Sequence, residues 1–472
     1  MAAQPDHHST AVPAGDSLSS RSVSQPLGQP AAVDLAAFID GQPLGRFQVR
    51  VALLCAAVLF LESFDSNALG YIVPTLTQVW HLGPGAFGPI FASGFFGQLI
   101  GAVVGGPVAD RVGRKTVLVA ATVEFALGAL LTTQASSPGF LFAVRLITGL
   151  GIGAALPNAV ALCSEYSPTQ RRSTLLVVVL CGITLGSVAA GLVAARVLPV
   201  YGWQSIFWIG GLAPLVLAPL LLLELAESPY LLAIRGHQDV AIAAILRRIS
   251  PSAANLPEGA HFAIREERVG GLSASHLFRA GRALATVLLW VIVFMNSFEI
   301  YVFASWLPTL ARASGLSEQA SVLTGVAMTI GGFAGTLGMG WLLDRFSIER
   351  MMAVNYAAGA GFIAVLALVA GDRWAMALVA GAAGFCIVGG QTGANALVAY
   401  RHPTSIRATA LAWALGAGRI ASIVGPLLAG MIISLGWSSR ATFFLAVIPA
   451  LCASGTVLLL GERVWKSRAH QG

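Results

Sequence analysis

The chain has 472 residues, of which 56% are hydrophobic and only 10% charged, whereas roughly a quarter are charged in an ordinary soluble domain. That excludes a soluble globular domain and a disordered chain, and continuous apolar runs in place of alternating ones argue against a transmembrane β-barrel. The formal net charge of +7, set against this background, is a topology signal and not a nucleic-acid footprint.

Residues 1–47 are rich in Ser, Pro, Ala and Gln and lack the apolar core of a secretory signal. About the first 30 read as a disordered cytoplasmic tail, and "DLAAFIDGQPLGRFQ" as an amphipathic lead-in at the inner membrane surface. Twelve apolar segments follow, each near the ~20 residues that cross a ~30 Å hydrocarbon core as a helix. Their spans are 50–76, 86–109, 116–136, 139–162, 173–197, 203–225, 283–310, 320–343, 351–371, 374–399, 408–435 and 440–461. The expected architecture is an all-α integral membrane protein: a six-helix bundle over 48–226, a polar cytoplasmic linker over 227–282, a second bundle over 283–462 and a short tail, 463–472. The 53 glycines suit membrane helices that approach closely. Cys55, Cys163, Cys181, Cys386 and Cys452 lie in apolar segments at scattered spacings, as small core residues without a metal or disulfide pattern.

Lys and Arg set the orientation. With a cytoplasmic N-terminus, inner loops and tails hold 22 of the 28 basic residues: Arg21, Arg46, Arg50, Arg111, Arg114, Lys115, Arg171, Arg172, seven in the linker, Arg345, Arg350, Arg401, Arg407, Arg463, Lys466 and Arg468. The outer side keeps Arg196, Arg312, Arg373 and Arg440. This asymmetry predicts both termini inside.

The two bundles are copies of one another. "GPVADRVGRK" from Gly106 and "GWLLDRFSIER" from Gly340 share Gly and Asp-Arg at an offset of 234; "SPTQRRSTLL" from Ser167 and "HPTSIRATAL" from His402 match at 235; "VPTL" from Val73 and "LPTL" from Leu307 match at 234. Three matches in corresponding places indicate duplication of a six-helix unit. Six plus six parallel repeats, with G-x-x-x-D-R-x-G-R-K between spans 2 and 3, resemble the major facilitator superfamily. The resemblance implies a substrate cavity between halves that rock about it. It also implies a conformational latch at the helix ends, built from Gly106, Asp110, Arg111, Gly113 and Arg114 with Asp344 and Arg345; a solvated positive-inside loop is the competing reading. Ser347 stands where the second copy should have Gly, and Ile348-Glu349-Arg350 replaces the basic run, which predicts a weaker second latch.

A charge at the bilayer centre costs between ~3 and more than 10 kcal/mol, so intramembrane ionisable residues are functional candidates. Glu62 and Asp65 lie about halfway along span 1, and the duplication carries Asp65 onto Glu299 and Glu62 onto Asn296 in span 7. Spans 1 and 7 line the cavity in this fold, so Asp65 and Glu299 are expected to face one another across it. Buried carboxylates of like charge favour holding a proton, which makes Asp65, Glu62 and Glu299 candidates for proton coupling; acids buried by pairing alone are the alternative. Arg419 in span 11 and Arg145 in span 4 are candidates to hold an anion bidentately. Asn296, Gln391, Asn395, Tyr71, Trp306 and Trp413 are further possible contacts, with Asn158 and Phe298, although helix packing explains each equally well. Glu124 in span 3 has no evident partner.

At Glu62-Ser63-Phe64-Asp65, followed by Gly70 and Pro74, the chain resembles the aromatic acid:proton symporters, which carry D-G-x-D there. "SWLPTL" from Ser305, "RLITGLGIGAALPNAVAL" from Arg145, "EYSPTQRR" from Glu165 and "HPTSIRATALAWALGAGRIASIVGP" from His402 extend the likeness. It implies import of a small aromatic carboxylate with H+, through a monomer in the inner membrane of a bacterium, with Asp65 as the second family acid and Arg145 and Arg419 as family arginines. Glu62 replaces the family Asp, and Ser63 the Gly. No cofactor is implied, and no nucleophile triad, metal cluster or phosphate loop points to an enzyme. "LAESPYLL" from Leu225 also resembles the P-E-S-P-R motif of sugar porters, which keeps a sugar or polyol symporter open beside a drug/proton antiporter and a receptor or channel of the same fold.

Overall fold

A computed structural model describes residues 33–236, 238–250, 252–253, 260–263, 275–279 and 282–469, apart from the side chains of Thr404 and 462–469. The expected disordered tail and the C-terminal basic side chains lie outside the described residues. Twelve helices are long and apolar enough to cross a membrane. They are α1 (Arg46–Val79), α2 (Gly88–Val112), α3 (Arg114–Thr132), α4 (Pro138–Tyr166), α5 (Thr169–Tyr201) and α6 (Gln204–Glu224) in the first half. The second half has α7 (Ala283–Ala313), α8 (Glu318–Arg345), α9 (Ile348–Leu368), α10 (Arg373–Arg401) and α11 (Thr404–Ser434). Its last crossing, α12, is made of two pieces, Ser439–Leu445 and Val447–Ala469.

Small residues decide how closely the helices pack. Gly97 and Gly101 of α2 meet the backbone of Leu146 and Leu150 on α4, and a Cβ at either would overlap a carbonyl. At the duplicated positions Gly331 and Gly335 of α8 do the same against Gly381 and Phe385 of α10. Such small-xxx-small contacts replace the hydrophobic drive that helices lack in lipid, and they give α2–α4 and α8–α10 the same geometry in each half.

The halves are joined at one end and separate at the other. Where α1 passes into α2, one apolar core runs from Phe64, Phe87 and Phe91 to Phe303, Trp306 and Ala450. There Thr75 Oγ1 donates to Glu318 Oε1 at 2.5 Å across the halves, and the Phe91 and Trp306 rings meet edge-on at 5.3 Å. Toward the opposite end each half keeps its own core, one around Cys55, Phe125 and Tyr166 and one around Ile292, Met352 and Tyr356.

The described parts of the linker pack against the lead-in. Helix Asp239–Ile249 buries Ile242, Ile245, Leu246 and Ile249, a 3–4 spacing on one face. That face shares a core with Leu35 and Ile39 of the lead-in helix Leu35–Asp40, and Val33–Asp34 pairs in parallel with Phe262–Ala263. The apolar side of the lead-in is thus taken by protein, a correction to its expected place on the membrane surface. Cys55, Cys163 and Cys386 are buried as expected, whereas Cys452 is exposed on the outer face of its helix.

Candidate functional site

A cavity of about 300 Å³ lies between the halves, at the small end of ligand pockets. Its first-half wall is polar, with Glu62, Ser66 and Asn67 from α1 and Thr184 and Ser187 from α5. Its second-half wall carries Arg419 from α11 and Thr329 from α8 among Ile300, Ala304 and Met328. Phe91, Phe95, Tyr71, Tyr301 and Phe303 supply rings, with Phe95 and Tyr301 edge-to-face at 4.8 Å. A small planar solute with one charged end fits this mixture of aromatic surface, hydroxyls and a single cation.

Arg419 and Glu62 are the cavity's charges. Oε2 of Glu62 is buried without a hydrogen-bond partner; the Arg419 charge acts on Glu62 across the cavity, but among the described residues its guanidinium makes no hydrogen bond or ion pair. A guanidinium with no hydrogen-bond partner can hold a carboxylate through two parallel N–H donors. Ser63 ties two helices: its Oγ lies 2.7 Å from Ser187 Oγ, and Asn67 Nδ2 donates to Ser187 Oγ at 3.0 Å.

Arg145 and Asp65 sit elsewhere. Arg145 Nη1 donates to Asp65 Oδ2 at 2.9 Å, with the side chains 4% and 0% exposed. Its Nη2 donates to Thr132 Oγ1 at 2.5 Å, and its guanidinium lies 5.0 Å from the Phe207 ring centroid. Neither residue lines the cavity, so Arg145 is already engaged by an acid of its own half. Glu299 points away too. It is 1% exposed, beside Tyr356 of α9, Cys386 of α10 and the backbone of Ala450 on α12, with no hydrogen bond of normal geometry to either oxygen. Asp65 and Glu299 therefore turn into opposite halves and do not face each other across the cavity. The helical step of 100° per residue explains it: three residues on from Glu62, Asp65 is rotated off the cavity face.

The weaker candidates divide similarly. Tyr71 lines the cavity. Asn296, Gln391 and Asn395 form a chain that ties α7 to α10, Asn296 Nδ2 donating to Gln391 Oε1 at 2.8 Å and Gln391 Nε2 to Asn395 Oδ1 at 3.2 Å. Trp306 is fully buried and donates to Pro426 O at 3.0 Å. Trp413 stacks on Trp290 at 5.8 Å, half exposed. These five are packing residues outside the cavity. Polar lining that the sequence reading missed comprises Ser66, Asn67, Gln98, Thr184, Ser187, Ser305 and Thr329; the helical spacing of Ser63, Ser66 and Asn67 on α1 and of Thr184 and Ser187 on α5 was a signal for part of it.

At the separate ends of the halves, the latch residues bind within their own half. Gly113 has φ +130°, and a Cβ there would overlap the Glu227 carboxylate. Arg114 pairs with Glu165 at the end of α4 and, at 3.8 Å, with Asp110. Arg235 Nη2 donates to Asp110 O at 3.2 Å. Glu227 accepts from Lys115 N at 3.1 Å and Ser228 N at 2.9 Å, so the E-S-P segment that resembled sugar porters caps the α2–α3 turn and reaches no cavity. In the second half the polarity is reversed: Glu349 at the start of α9 accepts from Arg401 at the end of α10, 2.8 Å away. Arg345 stacks on Trp341 at 4.1 Å. Arg111, Asp344 and Gly106 are at the same end of their helices; among the described residues, every ion pair at this end lies within one half.

Twelve helices in two copies around a charged central cavity define a membrane carrier of the two-bundle type. The family model of the Major Facilitator Superfamily matches residues 55–398 and 289–470, and the chain belongs to that superfamily. It is 36% identical to the 4-hydroxybenzoate transporter PcaK of Pseudomonas aeruginosa over 91% of this chain and 96% of that one. It is 38% identical to the gallate transporter of Pseudomonas putida over 92% and 96%. Among solved structures, an inward-facing bacterial homologue of the human lysosomal transporter Spinster superposes with a TM-score of 0.72 at 16% identity, covering 90% of this chain and 99% of that one. A D-xylose-proton symporter gives 0.65 at 17%, covering 86% and 96%. These relatives are named transporters, and the chain is a transporter and not an enzyme.

Proposed function

We propose that this protein imports a small aromatic carboxylate, of the 4-hydroxybenzoate or gallate kind for which its relatives are named, together with H+, across the inner membrane of a bacterium. The observation that carries this is Arg419, a guanidinium without a hydrogen bond or ion pair among the described residues, set among aromatic rings in the cavity between the halves. The carboxylate docks on Arg419 and the ring packs against Phe91, Phe95 and Tyr301. Ring hydroxyls meet Ser66, Asn67 and Thr184 on the opposite wall. A neutral sugar has no group for Arg419 to hold.

Glu62, facing the same cavity, and Asp65, one turn behind it on Arg145, are the acids placed to carry the proton; Glu299 is a third acid, remote from the substrate. One proton per monoanion makes the loaded step electrically neutral, so the pH gradient drives it. Coupling requires that only the loaded or the empty carrier rocks, a difference in stability between two states. The carrier works as a monomer with both termini cytoplasmic, and in that orientation the conformation described is closed toward the outside.

The test is uptake of labelled 4-hydroxybenzoate, gallate and xylose by cells expressing the protein, with and without an uncoupler. Uptake of an aromatic acid that the uncoupler abolishes is expected. Sugar uptake alone, or aromatic uptake indifferent to the uncoupler, would overturn the reading.

A further inference from the structure

Much of the polar wall that the first half turns to the cavity is already bonded to itself. Ser63 Oγ and Ser187 Oγ lie 2.7 Å apart, Asn67 Nδ2 donates to Ser63 O at 2.8 Å and to Ser187 Oγ at 3.0 Å, and Ser187 Oγ donates to Ile183 O at 3.1 Å. On the second-half wall Thr329 Oγ1 donates within its own helix, to Gly325 O at 3.1 Å. Glu62 differs. Among the described residues neither of its oxygens receives a hydrogen bond, Oε2 is buried, and the side chain keeps part of its surface on the cavity. Of the buried side-chain oxygens and nitrogens left without a partner among the described residues, only Glu62 Oε2 belongs to a residue that lines the cavity. Buried polar groups are almost always paired, so this acid calls for a donor.

The kinds of group on the two walls say what would supply it. A guanidinium only donates and an ionised carboxylate only accepts, whereas hydroxyls such as those of Ser66 and Thr184 do both and turn to suit. The cavity therefore sets a donor-only group, Arg419 on α11, against an acceptor-only group, Glu62 on α1, and among the described residues the two make no ion pair. A solute that answers both carries an acceptor-only end and, on its far edge, an O–H. A site that has to hydrogen-bond such a group rejects the analogue without it more strongly than an apolar pocket rejects a missing methylene, because its own polar atom is left unpaired.

We propose that Glu62 reads a ring hydroxyl: with the substrate carboxylate on Arg419, a phenolic O–H meta or para to it donates to the Glu62 carboxyl group, and the carrier is thereby selective for hydroxylated benzoates over benzoate. The inference rests on the carboxylate docking proposed above and adds what the other end of the ring must carry. Glu62 and Arg419 belong to opposite halves, so a hydroxyl ortho to the carboxylate stays beside Arg419 and does not serve Glu62. A carboxyl oxygen accepts whether the group is ionised or holds a proton on its other oxygen, so reading the hydroxyl and carrying a proton are compatible in one residue. A hydroxylated ring also links α1 to α11, one helix from each half, which benzoate does not.

The test is equilibrium binding to purified full-length protein, read as a ratio of affinities: 4-hydroxybenzoate against benzoate, and against 4-fluorobenzoate, whose fluorine has nearly the bulk of a hydroxyl and donates nothing. Wild type is expected to prefer 4-hydroxybenzoate to both by about tenfold or more, the effect of one hydrogen bond to a buried polar partner. Glu62→Met keeps the length of the side chain and removes the acceptor, and it is expected to bring the preference below about threefold. Wild-type preference retained in Glu62→Met overturns the inference, and so does wild-type binding that ignores the hydroxyl. If Glu62→Met does not insert, the wild type decides through 2-hydroxybenzoate. Binding like that of benzoate is expected, since the ortho hydroxyl is not read; binding as tight as that of 4-hydroxybenzoate overturns the inference. Equal binding of 4-hydroxybenzyl alcohol and 4-hydroxybenzoate by the wild type would instead remove the carboxylate docking on which the inference stands.

Discussion

The two halves share a helix plan and differ in what they bury. In the first, Asp65 and Arg145 make a buried ion pair behind the cavity wall. In the second, the duplicated positions hold Glu299 without an arginine: Val379 and Ala380 stand where Arg145 would fall, and Ala358 and Gly359 where Glu124 would. Its polar network is one of amides, the Asn296–Gln391–Asn395 chain. The cavity shows the reverse division, because Arg419 corresponds to Thr184 and both line it. Duplication therefore preserved the close helix approaches at Gly97 and Gly331 and released the polar side chains to diverge. The buried ion pair lies in one half, and the cavity's arginine in the other.

The largest effect is expected at the receptor. Arg419→Gln should lower uptake of 4-hydroxybenzoate by about a hundredfold, the order expected when one partner of a desolvated ion pair is truncated, with insertion unchanged. Asp65→Asn comes next, since it strands Arg145 in an apolar core. A loss of about 3–5 kcal/mol in unfolding stability is expected, together with loss of uptake. Adding Arg145→Gln should restore most of that stability without restoring transport, which separates the structural part of the pair from its functional part.

Glu299→Gln sharpens the contrast between the halves. No cation is left behind when this acid is neutralised, so uptake should change by less than about threefold and stability by no more than ~1 kcal/mol. A collapse of transport as deep as that of Asp65→Asn would place coupling in both halves and break the comparison. The smallest effect is expected at Ser63, where Ser63→Ala removes one hydrogen bond between α1 and α5, worth about 1 kcal/mol, read as a modest fall in melting temperature.

The twelve helices and their duplication were legible in the sequence because apolar length and repeated motifs are local quantities. Arg419 and Glu62 were legible as charges that a membrane span does not carry without a use. The direction of Asp65 was not, because residues three apart on a helix are rotated by some 60°, and which of them meets the cavity depends on how α1 turns within its bundle. The engagement of Arg145 was hidden for the same reason, since its acid comes from another helix 80 positions away. Glu124 stayed without a partner in the sequence because what admits it is an absence, the missing side chain of Gly151, where a Cβ would overlap its carboxylate. The lead-in helix showed its amphipathic face plainly, but whether lipid or the Asp239–Ile249 helix covers that face is a tertiary fact.

Equilibrium binding to purified protein tests most directly whether Arg419, and not Arg145, receives the carboxylate. Wild type should bind 4-hydroxybenzoate and discriminate strongly against 4-hydroxybenzyl alcohol, which keeps the ring and hydroxyl and lacks the charge. Arg419→Gln should bind the two equally and weakly. Retention by Arg419→Gln of wild-type preference for the acid would contradict the account.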